Sequence, residues 1–299
     1  ISVTANQYDK ILMYNASVGN RPGTFDEFAH VTIDGYLADD LVSAHLQHRN
    51  IAGEEGYNIG ALAQVGDSLV RFELFPETPM LAYKSWDIND ENFIEYNMYT
   101  HHVDADVVMK NATSSINIFT AHGESHDGEQ EDLHVKIKDL KLAELIAFNP
   151  YAPPIKGDMS ADMKINWHGG RLNGDGMVSL DDFIVGKERV GSFVADLGVS
   201  TDDAGQIKAK AALMVDGEKT MTIAGNLNDS TSHNPLMLDF SMIHFPLKVL
   251  NPMLPNNIAT LSGTLNGVMT ITGDSNAPIL NGKLDFDSAA VLVGMTGTP

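Results

Sequence analysis

The sequence contains no cysteine, few basic residues and no long apolar run. Without cysteine, disulfides, thiol catalysis and Cys-ligated zinc are excluded. The chain has 19 Lys and Arg against 40 Asp and Glu, a net charge of -21, and it lacks the basic cluster of a nucleic-acid or anionic-membrane surface. The sequence has no uninterrupted run of about 18 apolar residues, the length that a helix needs to cross a bilayer. The first ten residues lack a basic signal-peptide start, so we expect any export signal or anchor to lie outside this fragment.

Motifs for phosphate binding and nucleophilic catalysis are also missing. The glycine-rich stretch GGRLNGDG (169–176) is not followed by Lys-Ser or Lys-Thr, so it is not a P-loop, and we predict a hairpin turn there. No G-x-S-x-G occurs. We therefore expect no enzyme activity, no cofactor and no metal.

Alternation of apolar and polar residues with a period of two dominates the chain. Val103, Ala105, Val107 and Met109 share one face of a predicted strand, and the same alternation recurs in 133–140, 158–167, 206–215 and 235–245. Helical patterns are limited to 142–148 and 246–254, and each contains or precedes an Asn-Pro pair that favours a stop. The pattern predicts an all-β, mainly antiparallel fold with only short helices.

A weak internal repeat relates residues 137–182 to residues 242–288, with an offset of about 106 residues. Each copy has the order short helix, Asn-Pro, loop, glycine, strand, turn, glycine, strand. Such repeats favour an array in which each unit packs on its neighbours. We find no domain boundary, and we expect residues 1–299 to form one continuous β segment.

Glycine interrupts the strand pattern of LSGTLNGVMTITGDSNAPILNGKLDF (261–286) at four positions. Gly263 and Gly267 share the predicted apolar face with Leu265, Met269 and Ile271. Glycine in a strand marks a bulge, a bend or a close backbone approach. The pattern therefore predicts an elongated, strongly curved sheet with an apolar concave face.

The segment from LKVLNPMLP (247–255) to VLV (291–293) resembles the TamB family, the inner-membrane-anchored subunit of the translocation and assembly module. The resemblance rests on Gly263, Gly267, Gly273, Pro278, Gly282 and the pair Asp287-Ser288. Residues 75–94 are similar to Bacteroidetes-type members, and residues 1–56 match least well.

This resemblance implies a taco-shaped, or U-shaped, β-trough with a hydrophobic groove, related to AsmA-like lipid-transfer proteins. It implies a periplasmic protein anchored in the inner membrane that carries phospholipid towards the outer membrane. It also implies a partner in the outer membrane, a barrel assembly protein. Acyl chains would lie against the apolar face, where burial contributes about 0.8 kcal/mol per methylene.

On this reading, the lipid-binding residues are the apolar residues of the predicted concave face. These groove-lining residues are Leu133, Val135, Ile137, Met159, Met163, Ile165, Ile207, Leu213, Val215, Met221, Ile223, Leu236, Leu238, Phe240, Leu265, Met269, Ile271, Leu284 and Phe286.

Two other classes of protein remain open. A structural or adhesive β-sandwich or solenoid would close the same apolar faces against each other. A β-helix enzyme acting on polysaccharide would need acids or a metal that converge on an exposed face. The methionines on apolar faces (Met159, Met163, Met221, Met242 and Met269) suit either a lipid surface or an ordinary core.

Several polar clusters invite a functional interpretation, and we favour a structural one for each. His102, Asp104 and Asp106 share a strand face and are suitable metal ligands, but a solvated outer face explains them as well. Residues 121–132 lack calcium-loop spacing and indicate an acidic connector. In the pairs Asp181-Asp182 and Asp202-Asp203, adjacent strand residues point to opposite faces, so neither pair can form a glycosidase site.

Overall fold

The computed structural model describes residues 1–19, 30–121, 132–145, 154–168, 171–228, 236–254, 259–274 and 277–293. Strands make up about 80% of it, every described pairing is antiparallel, and the two helical segments are short, which confirms the all-β prediction. The chain forms two compact units where the sequence indicated no boundary. Unit 1 contains residues 1–154 with 167–169, and unit 2 contains residues 155–166 with 170–299.

Unit 1 is built on a meander in which β1 to β6 pair in chain order. β9 then pairs with both β6 and β10, and β10, β11 and β12 follow in order. Its elements are β1 (Ser2–Tyr8), β2 (Ile11–Gly19), β3 (His30–Ala38), β4 (Leu41–Arg49), β5 (Glu55–Val65), β6 (Leu69–Leu81), β7 (Lys84–Ser85), β8 (Asp87–Ile88), β9 (Phe93–Asn97), β10 (Val103–Lys110), β11 (Ser115–Ala121), β12 (Asp132–Lys141) and α1 (Leu142–Leu145).

The buried part of unit 1 includes the segment with β7 and β8 and the strands β10 and β12. Its buried apolar side chains include Trp86, Ile88, Val107, Met109 and Leu140. Burial of alternate residues along β10 confirms the period of two that the sequence shows there. The hydroxyl of Tyr57 donates to the carbonyl oxygen of Glu144 at 2.6 Å, which fixes α1 on the sheet.

Unit 2 is a second meander, in which β14 to β20 each pair with the next strand. Its elements are β13 (Ile155–His168), β14 (Arg171–Val185), β15 (Glu188–Thr201), β16 (Ile207–Val215), β17 (Glu218–Asn228), β18 (Leu236–Pro246), a 3-10 helix (Leu247–Met253), β19 (Ala259–Asp274) and β20 (Ala277–Val293). β13 lies against β14, since a Cβ added at Gly176 would stand 2.7 Å from the backbone oxygen of Asp162.

Two local predictions are wrong over part of their range. Residues 171–176 belong to strand β14 and form no turn, and residues 169–170 lie outside the described residues. Gly174 and Gly176 instead permit the close approach of β13. The pair Asn251-Pro252 lies inside the 3-10 helix and does not end it. A proline removes only one donor, which a short 3-10 segment tolerates better than a continuous α-helix does.

The glycines of β19 have two separate roles. Gly263 has a φ of +94° and lies at a break in the register, where Ser262 pairs with Ala290 but Thr264 pairs with Asp287. Two residues of β20, Ser288 and Ala289, oppose this one glycine, so the β-bulge is on β20, where it increases local twist and bends the strand. At Gly267, a Cβ would stand 2.2 Å from the backbone oxygen of Lys283, so no side chain fits between β19 and β20. Both findings agree with the bulges and close approaches that the sequence predicts.

The order of elements in the predicted repeat is visible on both sides. α1 follows β12 and the 3-10 helix follows β18, and a long strand comes next in each case, β13 and β19. Gly157 and Gly263, the matched glycines, both have positive φ, of +144° and +94°. The first Asn-Pro pair, 149–150, and the helix prediction for 146–148 lie outside the described residues.

Candidate functional site: an apolar groove on unit 2

One face of the unit 2 sheet is apolar across successive strands. The strand register places Leu197, Ala211, Ile223, Phe240 and Met269 in one row from β15 to β19. The row is continuous because residues that pair across antiparallel strands project to the same side of the sheet. We call this surface the apolar face of unit 2.

The opposite face of the same strands is polar. It carries Asp196, Lys210, Asp239 and Thr270 at the positions between the apolar ones. The hydroxyl of Thr270 donates to the carboxylate of Asp239 at 2.7 Å across the β18–β19 pair. The sheet is therefore amphipathic, with a solvated side and a side that needs an apolar partner.

A groove of about 330 Å³ runs over the apolar face from β13 to β18. Four of its residues, Gly174, Gly176, Ala209 and Ala211, have little or no side chain, so they lower the floor of the groove. Larger apolar side chains stand around them. The side chains that line it from the apolar face, besides those four, are Met163, Ile165, Leu197, Val199, Ile223, Leu227 and Leu238.

The groove is open and is not a closed core. Leu197 and Leu227 keep 40% and 45% of their surface exposed. Ile223 and Leu238 are only half-buried. Soluble proteins rarely expose a contiguous apolar surface of this kind, so it indicates a binding groove.

The 3-10 helix covers the part of the apolar face that lies next to the groove along β18 and β19. Its residue Leu247 packs with Met242, Phe245 and Leu265 into a fully buried cluster, which we call the helix cluster. On β18, Leu238 lines the groove and Met242 lies in the helix cluster, so two repeats of the strand period separate them on the same face. The covered end forms a boundary of the open groove.

Specific polar contacts hold the 3-10 helix in place. The side-chain amide of Asn251 accepts from the backbone N–H of Leu261 at 2.7 Å and donates to its carbonyl oxygen at 3.2 Å. The ammonium group of Lys248 lies 3.2 Å from the carboxylate of Asp216. The backbone N–H of Ser192, which donates to this carboxylate, and Lys248 both lower the pKa of Asp216. Asp216 therefore stays charged and keeps its contact with the helix.

A comparison with known protein families shows which family this chain belongs to. A sequence model described as "TamB, N-terminal domain" matches residues 100–286, more than half of the chain and most of unit 2. The chain belongs to the TamB family. TamB proteins are involved in outer-membrane assembly and lipid transport, and the family is associated with the inner membrane and the periplasm. Searches of curated proteins and of solved structures found no match.

In this TamB-family chain, the structure brings most of the predicted groove residues to one surface. Among those predicted, Met163, Ile165, Ile223 and Leu238 line the groove. The register places the other predicted residues of β16 to β20 on the same apolar face, from Ile207 to Phe286. Met159 shares the face of Met163 on β13 through the period of two. Leu133, Val135 and Ile137 lie on one face of β12 in unit 1, where they pair with Thr120, Ile118 and Ile116.

Two predicted lining residues are not open to the groove. Leu265 lies in the helix cluster, with only 7% of its surface exposed, and Val215 is also buried. The 3-10 helix folds back over the sheet and covers the end of the face that carries Leu265. Leu213, Met221, Phe240 and Met269 are half-buried against the same cluster. The strand period shows which face a residue occupies, but not what covers it.

The groove also contains residues that were not predicted, among them Leu197, Val199, Ala209 and Leu227. The stretch Phe193-Val194-Ala195 is apolar at three consecutive positions, so it hides the alternation of β15. Asp196 and the apolar residues on either side of it were the available signal, since they assign Ala195 and Leu197 to one face.

The polar candidates behave as structural groups in this TamB-family chain. Asp104 and Asp106 project from β10 opposite the buried Ala105 and Val107. Within the described residues, no cluster of His, Asp or Glu could hold a metal ion. Residues 122–131 lie outside the described part of the chain.

The paired carboxylates are also structural. Asp181 and Asp182 are exposed at a register shift of β14. Asp202 accepts from the backbone N–H groups of Ala204 and Gln206 in a turn. Hydrogen bonds lower the pKa of Asp202, and the bond from Gln206 has the largest effect.

None of the helices in the described ranges has both the length and the apolar character needed to cross a bilayer. The helical segments of the described chain are α1 with four residues and the 3-10 helix with seven.

Proposed function

We propose that unit 2 binds the acyl chains of phospholipid in its apolar groove and is a section of a conduit between the inner and outer membranes. The observation that carries this proposal is the open, half-buried groove on an otherwise amphipathic sheet. Burial of methylene groups there would contribute about 0.8 kcal/mol each. Membership of the TamB family supports the same role.

The mechanism needs binding and movement, with no chemical step and hence no catalytic residue. An acyl chain that lies on Ile223 and Leu238 finds similar apolar contacts on the neighbouring strands, because each row continues across the sheet. Neighbouring positions of similar energy allow a chain to slide. The charged headgroup stays in water, since burying it unpaired costs several kcal/mol.

In the full-length protein, we place this section in the periplasm, with an inner-membrane anchor outside these residues and an outer-membrane barrel assembly protein as a partner. Support for this arrangement comes from the family alone. The closed sandwich is the second candidate, and the fully buried helix cluster is the observation that favours it locally. The open groove beside that cluster favours lipid binding.

Arginine substitutions on the two faces of β18 separate these functions. Leu238→Arg places a cation in the groove, where the long side chain can reach water through the opening. Met237→Arg is the matched control, because Met237 is the adjacent residue, projects to the opposite face and is 46% exposed. Both variants are assayed for melting temperature, bound lipid by native mass spectrometry, and lipid transfer between vesicles.

We expect Leu238→Arg to remain folded and to lose bound lipid and transfer, while Met237→Arg keeps both. If Leu238→Arg unfolds the protein, the apolar face is a closed core and the sandwich is correct. If it stays folded and carries lipid normally, Leu238 does not belong to a lipid groove.

A further inference from the structure

A second pocket lies in unit 1, far along the sequence from the groove. It has a volume of about 690 Å³ and is formed by strands β2 to β6. The register assigns Asp34, Ser43, His45, Glu73 and Phe75 to one face of these strands. The residues between them, such as Ile33, Leu46 and Ile59, form the apolar face of the same strands. The pocket therefore belongs to the opposite, more polar face.

The side chain of Ser43 contributes a hydroxyl group to this pocket. Ser43 is 94% buried, with 6% of its surface exposed, and it lines the pocket. Its backbone oxygen accepts from Tyr14 at 2.7 Å, but its hydroxyl has no hydrogen-bond partner among the residues that the structure describes. The hydroxyl is therefore available to donate to or accept from a ligand in the pocket.

The charges around the pocket are mainly negative. Within the described chain, no Lys or Arg pairs with Asp34, and the ring of His45 lies beside it, with Nδ1 3.7 Å from the carboxylate oxygen. Glu73 shares Arg71 with Glu95, at 2.7 and 3.1 Å, so one cation serves two carboxylates. Anionic ligands such as phosphate are disfavoured here, and a cation is favoured.

Aromatic groups form the other walls. The ring of Phe75 lies over Gly60, where an added Cβ would stand 2.3 Å from the ring, so the absence of a side chain makes room for it. The rings of Phe75 and His45 have centroids 5.5 Å apart. The His45 ring nitrogen Nε2 lies 2.6 Å from the amide oxygen Oδ1 of Asn58, which fixes its orientation. Tyr36 also lines the pocket.

From this combination, we propose that the unit 1 pocket binds an organic ammonium ion, with Asp34 and Ser43 contacting the polar groups of the ligand and Phe75 contacting its ammonium group. Carboxylates beside aromatic faces recognise primary and quaternary ammonium groups through charge and cation–π attraction. Metal ions suit the site less well, since its aromatic walls supply no ligand atoms. The ammonium group can belong to a free amine or to a lipid headgroup.

The test is a titration of the full 299-residue chain with choline and with ethanolamine, followed by ligand-observed NMR or calorimetry. The neutral analogue 3,3-dimethylbutanol is the ligand control, since it has the shape of choline without the charge. We expect both cations to bind and the analogue to bind at least about tenfold more weakly, the loss of one charge-assisted contact.

Two substitutions test the named contacts. Asp34→Asn removes the charge and Phe75→Leu removes the aromatic face, and each should weaken cation binding about tenfold. Asp67→Asn is the matched control, because Asp67 is exposed and does not line the pocket, and it should leave binding unchanged. Ser43→Ala is a further variant that should keep the fold, since the hydroxyl has no described partner to lose.

Equal binding of the cations and the neutral analogue, or equal loss in Asp34→Asn and Asp67→Asn, would overturn the proposal, and so would the absence of binding. If Asp34→Asn fails to fold, unchanged affinity in folded Ser43→Ala and Phe75→Leu would overturn it as well.

Glycerophosphoethanolamine identifies the source of the ligand. Binding at least as tight as that of ethanolamine assigns the site to a lipid headgroup, and weaker binding assigns it to a free amine. Either result supports the ammonium site, and neither depends on the unit 2 groove.

Discussion

The contrast between the helix cluster and the open groove predicts very different costs for the same substitution. Leu265 lies in the cluster with 7% of its surface exposed, whereas Leu197 lines the groove with 40% exposed. Both residues lie on the apolar face of unit 2, so Leu→Ala removes the same atoms from the same sheet.

The expected magnitudes follow from burial. In a closed core, Leu→Ala loses the transfer energy and leaves a cavity, and the cost for Leu265→Ala should be about 3–5 kcal/mol. At Leu197, no closed cavity forms, and the side chain is only partly removed from water. Scaling the roughly 1.5–3 kcal/mol for burying a whole leucine by the buried part gives about 1–2 kcal/mol for Leu197→Ala.

The assay is urea unfolding of each variant, with hydrogen exchange of the amides of β18 and β19 to report on unit 2 separately from unit 1. Leu265→Ala should lower protection of these strands strongly, and Leu197→Ala only slightly. Equal, large costs would show that the groove is a closed core. A small cost for Leu265→Ala would show that the 3-10 helix does not cover the sheet.

Three further predictions test local features. Gly267→Ala should destabilise unit 2 by more than the roughly 1–3 kcal/mol of a strained backbone, because its Cβ would lie 2.2 Å from a backbone oxygen. Gly217→Ala, whose Cβ would have nothing within 4 Å, should cost no more than that strain. Calorimetry of both variants checks the difference. Asn251→Ala removes both bonds to Leu261 and should cost about 1–3 kcal/mol and raise proteolytic cleavage at the 3-10 helix, and an unchanged cleavage rate would contradict this. Burial lowers the pKa of His48, so the neutral ring stabilises the fold above the unfolded pKa of 6.5, and this contribution is lost as the pH falls below that value. His48→Phe should therefore flatten the dependence of stability on pH between about 7 and 5. An unchanged slope would refute the role of His48 in this dependence.

The all-β class and the facing of most strands could be predicted because both depend on the period of two. Val103 to Met109 alternate cleanly, and β10 has the predicted bounds. The glycines of 261–286 also indicated bulges and close approach, since few other residues permit them, and Gly263 and Gly267 have these roles.

The covered end of the apolar face could not be predicted in the same way. Leu265 and Leu238 have the same pattern in sequence, and only the return of the 3-10 helix over β19 distinguishes a buried residue from a groove residue. Contacts between residues far apart in the chain decide this, and periodicity carries no information about them. The groove floor was missed for a related reason, since Ala209 and Ala211 are weak signals in any hydrophobic pattern.

The unit 1 pocket was invisible for a different reason. Asp34, Ser43, Glu73 and Phe75 come from three different strands, and each is an ordinary strand residue in its local context. Their proximity follows from the register of β3 to β6, which one-residue shifts would change completely.

Site-specific photo-crosslinking in cells tests the central claim most directly. A photoreactive residue replaces Leu227 in the groove or Met177, which is 50% exposed on the opposite face of the same sheet. Mass spectrometry of the purified protein then identifies adducts. We predict phospholipid adducts at Leu227 and none above background at Met177. Adducts of equal yield at both positions, or none at Leu227, would contradict the lipid groove.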